Sequence, residues 1–473
     1  MATPIPHNDA RFSLAEILAA SGGRLRGPVE DEALEVRGVS TDTRTLREGE
    51  LFVALRGERF DGHDHLAIAA DKGASLAIVD RQADVPSGLS VVRVTDSLQT
   101  LGALARAHLD RWRKRGRKVI AITGSAGKTT TRQAIAALLA EVTAPSEVHG
   151  AAGNLNNLVG VPMTLLQLGQ THRYAVVELG TNRQGEIATL TRMVRPDVAV
   201  LTLIASAHSQ GLGDIDAIAR EKAAIFGDLE GIAVGNYDDA RVRMALARCR
   251  HPIGYGGDAA ADYHFYHRRV LDERRTTLRI VGPRGEVATQ IGLMGRAGAY
   301  ACAAAIAVVE SMLEMSVSEK NVERSMTGSE GRLLPRRAPS GLLVLDDSYN
   351  ANPASCASSI DAAREIAAAL GRRLILVLGE MRELGDESAE AHRELGRVAA
   401  ASGAARLIAV GGDARLAVQT ADMDARFVET SEQAAHAALS IVEPSDVVLV
   451  KGSRGVRTEI VVDALLHAQG AAP

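Results

Sequence analysis

Along this chain the apolar positions fall into short uninterrupted runs, separated by stretches in which they recur every three or four residues. Runs at 36–40, 51–55, 76–79 and 91–94 read as strands in the first 115 residues, and a helical pattern over 97–115 closes that segment. From residue 119 the order becomes strand, glycine loop, helix, with further strand runs at 174–180, 197–204 and 231–236. A more polar, β-like stretch covers 263–290, and an alanine-rich helix is expected over 299–313. A second series then sets in, with runs at 342–347, 373–380, 405–412 and 446–453. Short β-branched runs alternating with helical stretches predict parallel sheets with helices packed on them. The glycine- and proline-containing stretch at 328–340 reads as a linker, which gives three domains: 1–115, 116–330 and 331–473.

At 473 residues the chain is long enough for two or three cores, in keeping with that division. Its 46% hydrophobic and 24% charged residues are the proportions of a soluble globular protein. A net charge of −4 (54 basic minus 58 acidic residues) argues against a general nucleic-acid binder. With 3% aromatic residues there is also little material for base stacking. Cys249, Cys302 and Cys356 lie far apart with no C-x-x-C spacing, so free, inert thiols are expected rather than a disulfide framework or a zinc site. There is no apolar signal core near the N-terminus and no run of 18 apolar residues, so the expectation is a cytoplasmic protein without a membrane span. The basic run "RWRKRGRK" at 111–118 reads as a solvated helix end beside a domain junction.

The candidate chemistry begins at "AITGSAGKTTTRQ", residues 121–133. Gly124 and Gly127, flanking Ser125 and Ala126, let backbone N–H groups face phosphate oxygens, and the following helix adds its positive end. Lys128 is placed to reach β- and γ-phosphate oxygens, and a hydroxyl of Thr129 or Thr130 to ligate Mg²⁺. The longer Walker pattern would want glycine at position 122, where this chain has Ile122. Glu178 closes the run "VVELG" at the strand edge where α/β proteins hold ligands; it is either an exposed strand-end glutamate or a ligand for Mg²⁺. In "DIDAIAREKAAIF", Ile215, Ile218, Ile225 and Phe226 form an apolar helical face with Lys222 inside it. That lysine either snorkels, pairs with a carboxylate, or is buried enough for its neutral amine to react. His208, in "ASAHSQGLG", is a metal ligand or an ordinary loop histidine.

Together with "STDTRTLREGELFVALRGERFDGHDH", "GNLNNLVGVPMTLL", "DDSYNANPAS", "LGEMRELGDES" and "VLVKGSRG", these residues make the chain similar to the Mur ligase family nearly end to end. That family's shorter loop, G-[TS]-x-G-K-T-T, accounts for Ile122. The resemblance implies an α/β fold: a central P-loop, parallel-sheet ATPase domain flanked by a small α/β N-terminal domain and a Rossmann-like C-terminal domain. It further implies an ATP-dependent ligase that joins D-alanyl-D-alanine to UDP-N-acetylmuramoyl-tripeptide in peptidoglycan precursor synthesis; a monomer is expected. In that reaction ATP phosphorylates the terminal carboxylate and the dipeptide amine attacks the acyl phosphate. The charge of the moving phosphoryl group is offset by lysine and Mg²⁺.

By the same resemblance, Thr129 or Thr130 with Glu178 holds one Mg²⁺, His208 helps hold a second, and Lys222 is the family's carbamylated lysine. Asn154, Asn156 and Asn157 fall on the loop expected to contact the muramoyl-peptide, and Asp42, Thr43 and Arg44 where the UDP portion is expected. In the third domain Asp347, Tyr349, Asn350 and Asn352 are expected at the nucleotide ribose and the dipeptide, and Arg332 at the ATP phosphates. Lys451 and Arg454 are expected at a substrate carboxylate.

Two stretches depart from the family. Its G-x-H-N-x-x-N-x-x-A-A segment is "GRAGAYACAAA" here, with Ala297 in place of the histidine and Gly298 and Ala301 in place of the asparagines. Adenine recognition is therefore expected to be different or looser. The "HLE" triplet becomes His208-Ser209-Gln210, which removes a carboxylate beside the second metal. Two other readings stay open: a related ligase with a different amine acceptor, and a catalytically silent nucleotide-binding scaffold.

Overall fold

Strands buried on both faces carry no polar alternation, which is why the apolar runs of this sequence are nearly unbroken. In the computed structural model, which describes residues 5–27, 34–57, 60–114, 116–151, 153–205 and 212–467, those runs do form strands. The chain divides into two compact units. One consists of Met1–Ile122, Ala144–Thr181 and Gly185–Val198; the other of Thr123–Thr143, Asn182–Gln184 and Ala199–Pro473.

In the first unit five short strands form a sheet in the order Arg24–Arg26, Val91–Arg93, Leu76–Val79, Leu51–Val53, Val39–Ser40. All neighbours are parallel except the first pair. A separate antiparallel pair, Arg11–Ser13 with Glu35–Arg37, takes up the start of the 36–40 run. The helix Ser97–Arg113 starts at Asp96, whose carboxylate accepts from the Gln99 N–H. The basic run at its end is not simply solvated. Arg113 donates to the carbonyls of Val194 and Arg195 at the end of the helix Glu186–Val194, and Arg111 pairs with Glu16 and the Arg11 carbonyl. Guanidinium groups satisfy the orphaned C-terminal carbonyls of a neighbouring helix, a use that a sequence pattern does not reveal. Three parallel strands complete this unit, Tyr174–Glu178 lying between Val148–Gly150 and Lys118–Thr123.

In the second unit the strands Val198–Leu201, Ile232–Asn236, His251–Gly256, Tyr263–Val270, Thr276–Gly282 and Gly285–Ile291 follow one another across the sheet. The pairings from Ile232 to Tyr263 are parallel, and the last three strands form an antiparallel meander that accounts for the polar β-like stretch. The alanine-rich helix runs from Gly295 to Leu313, four residues longer than expected. Its length and composition would suffice to cross a membrane, but most of it is buried against the rest of the protein.

The C-terminal sheet is doubly wound, in the order Leu334–Arg337, Leu343–Asp347, Val447–Lys451, Leu374–Gly379, Arg406–Val410, Ala425–Val428. Leu343, Leu345, Leu374, Leu376 and Leu378 pack on one side with the helix Pro353–Leu370, while Val344, Ile375, Val377, Val448 and Val450 pack on the other with Val461, Val462 and Leu465. Leu334–Arg337 pairs antiparallel with Leu343–Asp347, and all the other neighbouring pairs are parallel. The strand Leu334–Arg337 lies inside the stretch read as a linker. Its Pro335 is tolerated because the strand is at the sheet edge, where a missing N–H breaks no ladder on the outer side.

Candidate active site

The loop between the strand Lys118–Thr123 and the helix Lys128–Val142 is shaped by two glycines. Gly124 has φ +149°, and a Cβ there would sit 2.0 Å from the Thr202 Oγ1, so no side chain fits. Gly127 has φ +79° and is the residue from which the helix starts. The loop is strapped from behind by the segment after Val198–Leu201. The Ser125 N–H donates to the Leu203 carbonyl at 2.7 Å, the Ser125 hydroxyl to the Ala205 carbonyl at 2.8 Å, and the Thr202 hydroxyl to the Ala126 carbonyl at 2.6 Å. The Lys128 ammonium donates to the Gly124 carbonyl at 2.8 Å. Two of these bonds take up the carbonyls of Gly124 and Ala126, whose negative dipole ends would repel an anion, and two engage the Ser125 N–H and hydroxyl, while the positive end of the following helix points at the loop.

Residues from the C-terminal part of the chain reach the same loop. The Asn352 side-chain amide donates to the Ser125 carbonyl at 3.3 Å, and Asn352 also caps the helix Pro353–Leu370 in a reciprocal box with Ser355. Arg332 donates to the Thr129 hydroxyl at 2.9 Å, and its guanidinium lies 4.1 Å from the Tyr349 ring centroid, with Arg454 5.9 Å from the same ring. Thr129 is buried and Thr130 half-buried. Asp347 and Lys451 face each other across the parallel strands Leu343–Asp347 and Val447–Lys451. The Lys451 ammonium donates to the Asp347 Oδ2 at 2.6 Å and to the carbonyl of exposed Asn350 at 2.9 Å, with side-chain exposures of 3% and 11% for the lysine and aspartate. Ser359 donates to the same carboxylate oxygen.

Lys222 lies in the helix Ile215–Ala223 with only 1% of its surface exposed, beside the fully buried Ile218 and Ile225, so it does not snorkel to water. His208 lies outside the described residues, as do Ser209 and Gln210.

In the first unit Glu178 ends its strand almost fully buried, at 3% exposure, which removes the reading of a solvated strand-end glutamate. The Asn156 amide donates to it at 2.9 Å, and the Gly180 N–H holds the Asn156 carbonyl at 2.7 Å. Asn157 accepts from the N–H groups of Val159 and Gly160 in the turn that leads into the helix Gly160–Leu165, while Asn154 is exposed. The "GNLNN" loop therefore divides its labour: Asn156 aims a buried carboxylate, Asn157 holds the turn before a helix, and Asn154 is exposed. Asp42 accepts from the Arg44 backbone and guanidinium, Thr43 is buried, and the Arg44 side chain is 87% exposed. The Arg44 guanidinium holds the Asp42 carboxyl below the ordinary carboxylate range.

The altered segment at the start of Gly295–Leu313 has its own construction. A Cβ on Gly298 would meet the Leu293 carbonyl at 2.4 Å, so an asparagine would not fit there without moving backbone. The polar groups nearby are instead Tyr300, which donates to Asp238 at 2.5 Å, and Arg296, 3.3 Å from the same carboxylate. Burial alone would raise the Asp238 pKa, but the Tyr300 hydroxyl, the N–H groups of Gly257 and Asp258, and Arg296 hold it low. Burial and that carboxylate push the Tyr300 hydroxyl up to about 12. Sequence patterning does not single out Asp238 or Thr202; the only signal is their position just past strand ends.

Comparison with known proteins agrees with the motifs. Residues 35–109 match the model described as Mur ligase family, catalytic domain; 122–309 match the Mur ligase middle domain; and 331–454 match the Mur ligase, glutamate ligase domain. The chain is 34% identical over 448 residues to the UDP-N-acetylmuramoyl-tripeptide–D-alanyl-D-alanine ligase of Escherichia coli (strain K12), spanning 93% of this chain and 96% of that one. It superposes on MurF from Acinetobacter baumannii with a TM-score of 0.86 at 29% identity, covering 97% and 99% of the two chains. The MurF ligase of Thermotoga maritima, solved in complex with ADP, gives a TM-score of 0.80 at 29% identity, with 90% and 96% covered.

Proposed function

This chain belongs to the Mur ligase family, and from that premise we propose that it joins D-alanyl-D-alanine to UDP-N-acetylmuramoyl-tripeptide at the expense of ATP. The observation that carries the reading is the phosphate loop: Gly124 admits no Cβ, the carbonyls of Gly124, Ser125 and Ala126 are engaged, and Lys128, Thr129 and Thr130 follow at the helix start. A carboxylate is a poor electrophile until one oxygen becomes a leaving group. Transfer of the γ-phosphoryl group to the terminal carboxylate of the tripeptide makes an acyl phosphate and ADP. The amine of D-alanyl-D-alanine attacks the acyl carbon, loses a proton, and expels inorganic phosphate as the amide forms.

In this reading the positive end of the helix Lys128–Val142 and the Lys128 ammonium hold the phosphates and meet the charge that develops on the transferring group. Arg332, stacked on Tyr349, joins them from the C-terminal side. The hydroxyls of Thr129 and Thr130 and the buried carboxylate of Glu178 are hard oxygen donors of the kind Mg²⁺ takes, and Asn156 orients Glu178 for that role. Mg²⁺, when bound, neutralises phosphate charge. His208 is assigned to a second metal, and buried Lys222 to carbamylation, which turns its amine into an anion. Asp42, Thr43 and Arg44 are assigned to the UDP portion, Asn154 to the muramoyl-peptide, and Asn350 with Arg454 to the dipeptide. Lys451 is assigned to anchoring Asp347 rather than to meeting a substrate carboxylate, since its ammonium is buried against that aspartate. Tyr300 and Arg296, held by Asp238, are the polar groups available where the family's histidine and asparagines are missing. We read the protein as a cytoplasmic monomer.

The test is the mass of the product formed from ATP, UDP-tripeptide and D-alanyl-D-alanine by the purified protein. The expected product is the UDP-pentapeptide, with phosphate released only when the dipeptide is present. Turnover with single amino acids but none with the dipeptide would replace this reading with that of a ligase for another acceptor. Lys128→Ala is expected to lower kcat at least about 100-fold; a variant of unchanged activity would point to a silent scaffold. Carbamylation is checked by a carbamate carbon signal after exchange with labelled bicarbonate, expected in the native chain and absent from Lys222→Ala.

A further inference from the structure

Arg332 owes its place to a backbone turn that is held at several points. The residues on either side of it, Gly331 and Leu333, both have left-handed backbone, with φ +68° and +53°. For leucine that conformation is uncommon and persists only where surroundings hold it. The Gly331 N–H donates to the Asp346 Oδ2 at 3.3 Å, and the Leu333 N–H to the Asp347 Oδ1 at 3.1 Å. The Tyr349 N–H donates to the Gly331 carbonyl at 3.2 Å, and the Arg332 N–H to the Ser329 carbonyl at 3.2 Å. Immediately afterwards the chain enters the edge strand, with Leu334 opposite Asp346.

Asp346 is 5% exposed, and its second oxygen accepts both the N–H of Ser348 at 3.2 Å and its hydroxyl at 2.7 Å; Arg336 lies 3.7 Å from the first. The carboxylate thus has a fixed rotamer, one oxygen turned to its own strand end and one to the turn. Two adjacent aspartates at one strand end grip the two N–H groups that bracket a single arginine. That arginine extends to the Thr129 hydroxyl and stacks on Tyr349, the residue whose own backbone closes the turn.

We propose that Asp346 is a positioning residue for the ligation, acting through Arg332: its carboxylate latches the Gly331–Leu333 turn so that the guanidinium is delivered to the phosphate loop. The latch rests on the reading of Arg332 as a phosphate ligand. Asp346 itself touches neither substrate nor phosphate. A fixed turn delivers the guanidinium without a search among backbone conformers at the moment of phosphoryl transfer.

A double-mutant cycle tests this. Asp346→Asn leaves one acceptor oxygen and puts an N–H where the second acceptor was, so it breaks one of the two grips while keeping size. It is expected to lower kcat about tenfold with the KM for ATP changed less than about threefold. In an Arg332→Ala background the same change is expected to have no further effect on kcat, because the group being positioned is gone. An equal loss in both backgrounds, or no loss in the first, would overturn the latch. Should Asp346→Asn fail to fold, Gly331→Ala perturbs the turn without touching the carboxylate, since its Cβ would lie 3.1 Å from the Tyr349 Cβ. It is expected to give the same loss alone and none on top of Arg332→Ala, and any other pattern overturns the proposal. Full activity of Arg332→Ala by itself would instead remove Arg332 from the phosphate site, a different failure with a different signature.

Discussion

Two aspartate–cation pairs in this molecule are alike in residue type and differ in every physical respect that matters. Asp42 and Arg44 are two residues apart, share one turn, and leave the guanidinium in water with 87% of its side chain exposed. Asp347 and Lys451 are over a hundred residues apart, meet across two parallel strands, and are 11% and 3% exposed. The first pair is cheap to form and to break, because water solvates either ion when they part. Removing one member of the second strands an ion in a place largely shut off from water. Both stretches read as substrate-binding candidates in the sequence, yet only the exposed pair can release its cation to an incoming anion without a large penalty. Burial, rather than residue type, separates a binding group from an anchoring one.

Lys451→Ala tests the contrast most severely. It leaves Asp347 buried with only Ser359 and the Leu333 N–H for company and is expected to destabilise the protein by about 3–5 kcal/mol in denaturant titrations. A loss under about 1 kcal/mol would show that water reaches the pair and would erase the distinction. Arg44→Ala is expected to do the opposite: a melting temperature lowered only slightly, an unchanged kcat, and a KM for the UDP substrate raised about tenfold, the effect of removing one charge-assisted hydrogen bond to the substrate. An unchanged KM would take Arg44 out of the substrate site. The smallest effect concerns acid. The Asp42 carboxyl is held below its ordinary value of 3.8 chiefly by the Arg44 side chain, so its contribution to stability is complete above about pH 4 and fades as the pH drops through the lowered folded value. Melting temperatures of the native chain and Asp42→Asn are therefore expected to differ slightly at pH 7 and to converge well below pH 4. A gap that persists into strong acid would mean the pair is not what Asp42 contributes.

Much of the fold was legible because its strands are covered on both faces, which turns burial into uninterrupted apolar runs such as 343–347 and 374–379. Elements without that cover were not. The edge strand Leu334–Arg337 carries a proline and two arginines, His251–Gly256 is half polar, and neither stands out as an apolar run. The phosphate loop was equally legible, since its function is carried by backbone geometry that only glycine at 124 and 127 permits, and glycine is visible in a sequence. The basic helix end shows the limit: its arginines read as a solvated face, yet Arg113, like Arg106 two turns earlier, binds carbonyls of a helix some eighty residues away.

The sequence by itself determined the α/β alternation, the phosphate loop and the family, because each is written in local spacing: unbroken apolar strand runs, a glycine turn, a lysine and hydroxyls at a helix start. Only the tertiary structure decided that Glu178 is buried and aimed by Asn156, that Lys451 is locked on Asp347, and that Asp346 and Asp347 grip the turn bearing Arg332. Those outcomes depend on which groups long-range strand pairing brings within hydrogen-bond reach and removes from water. A carboxylate's neighbours in space, and not its neighbours in sequence, set what it holds.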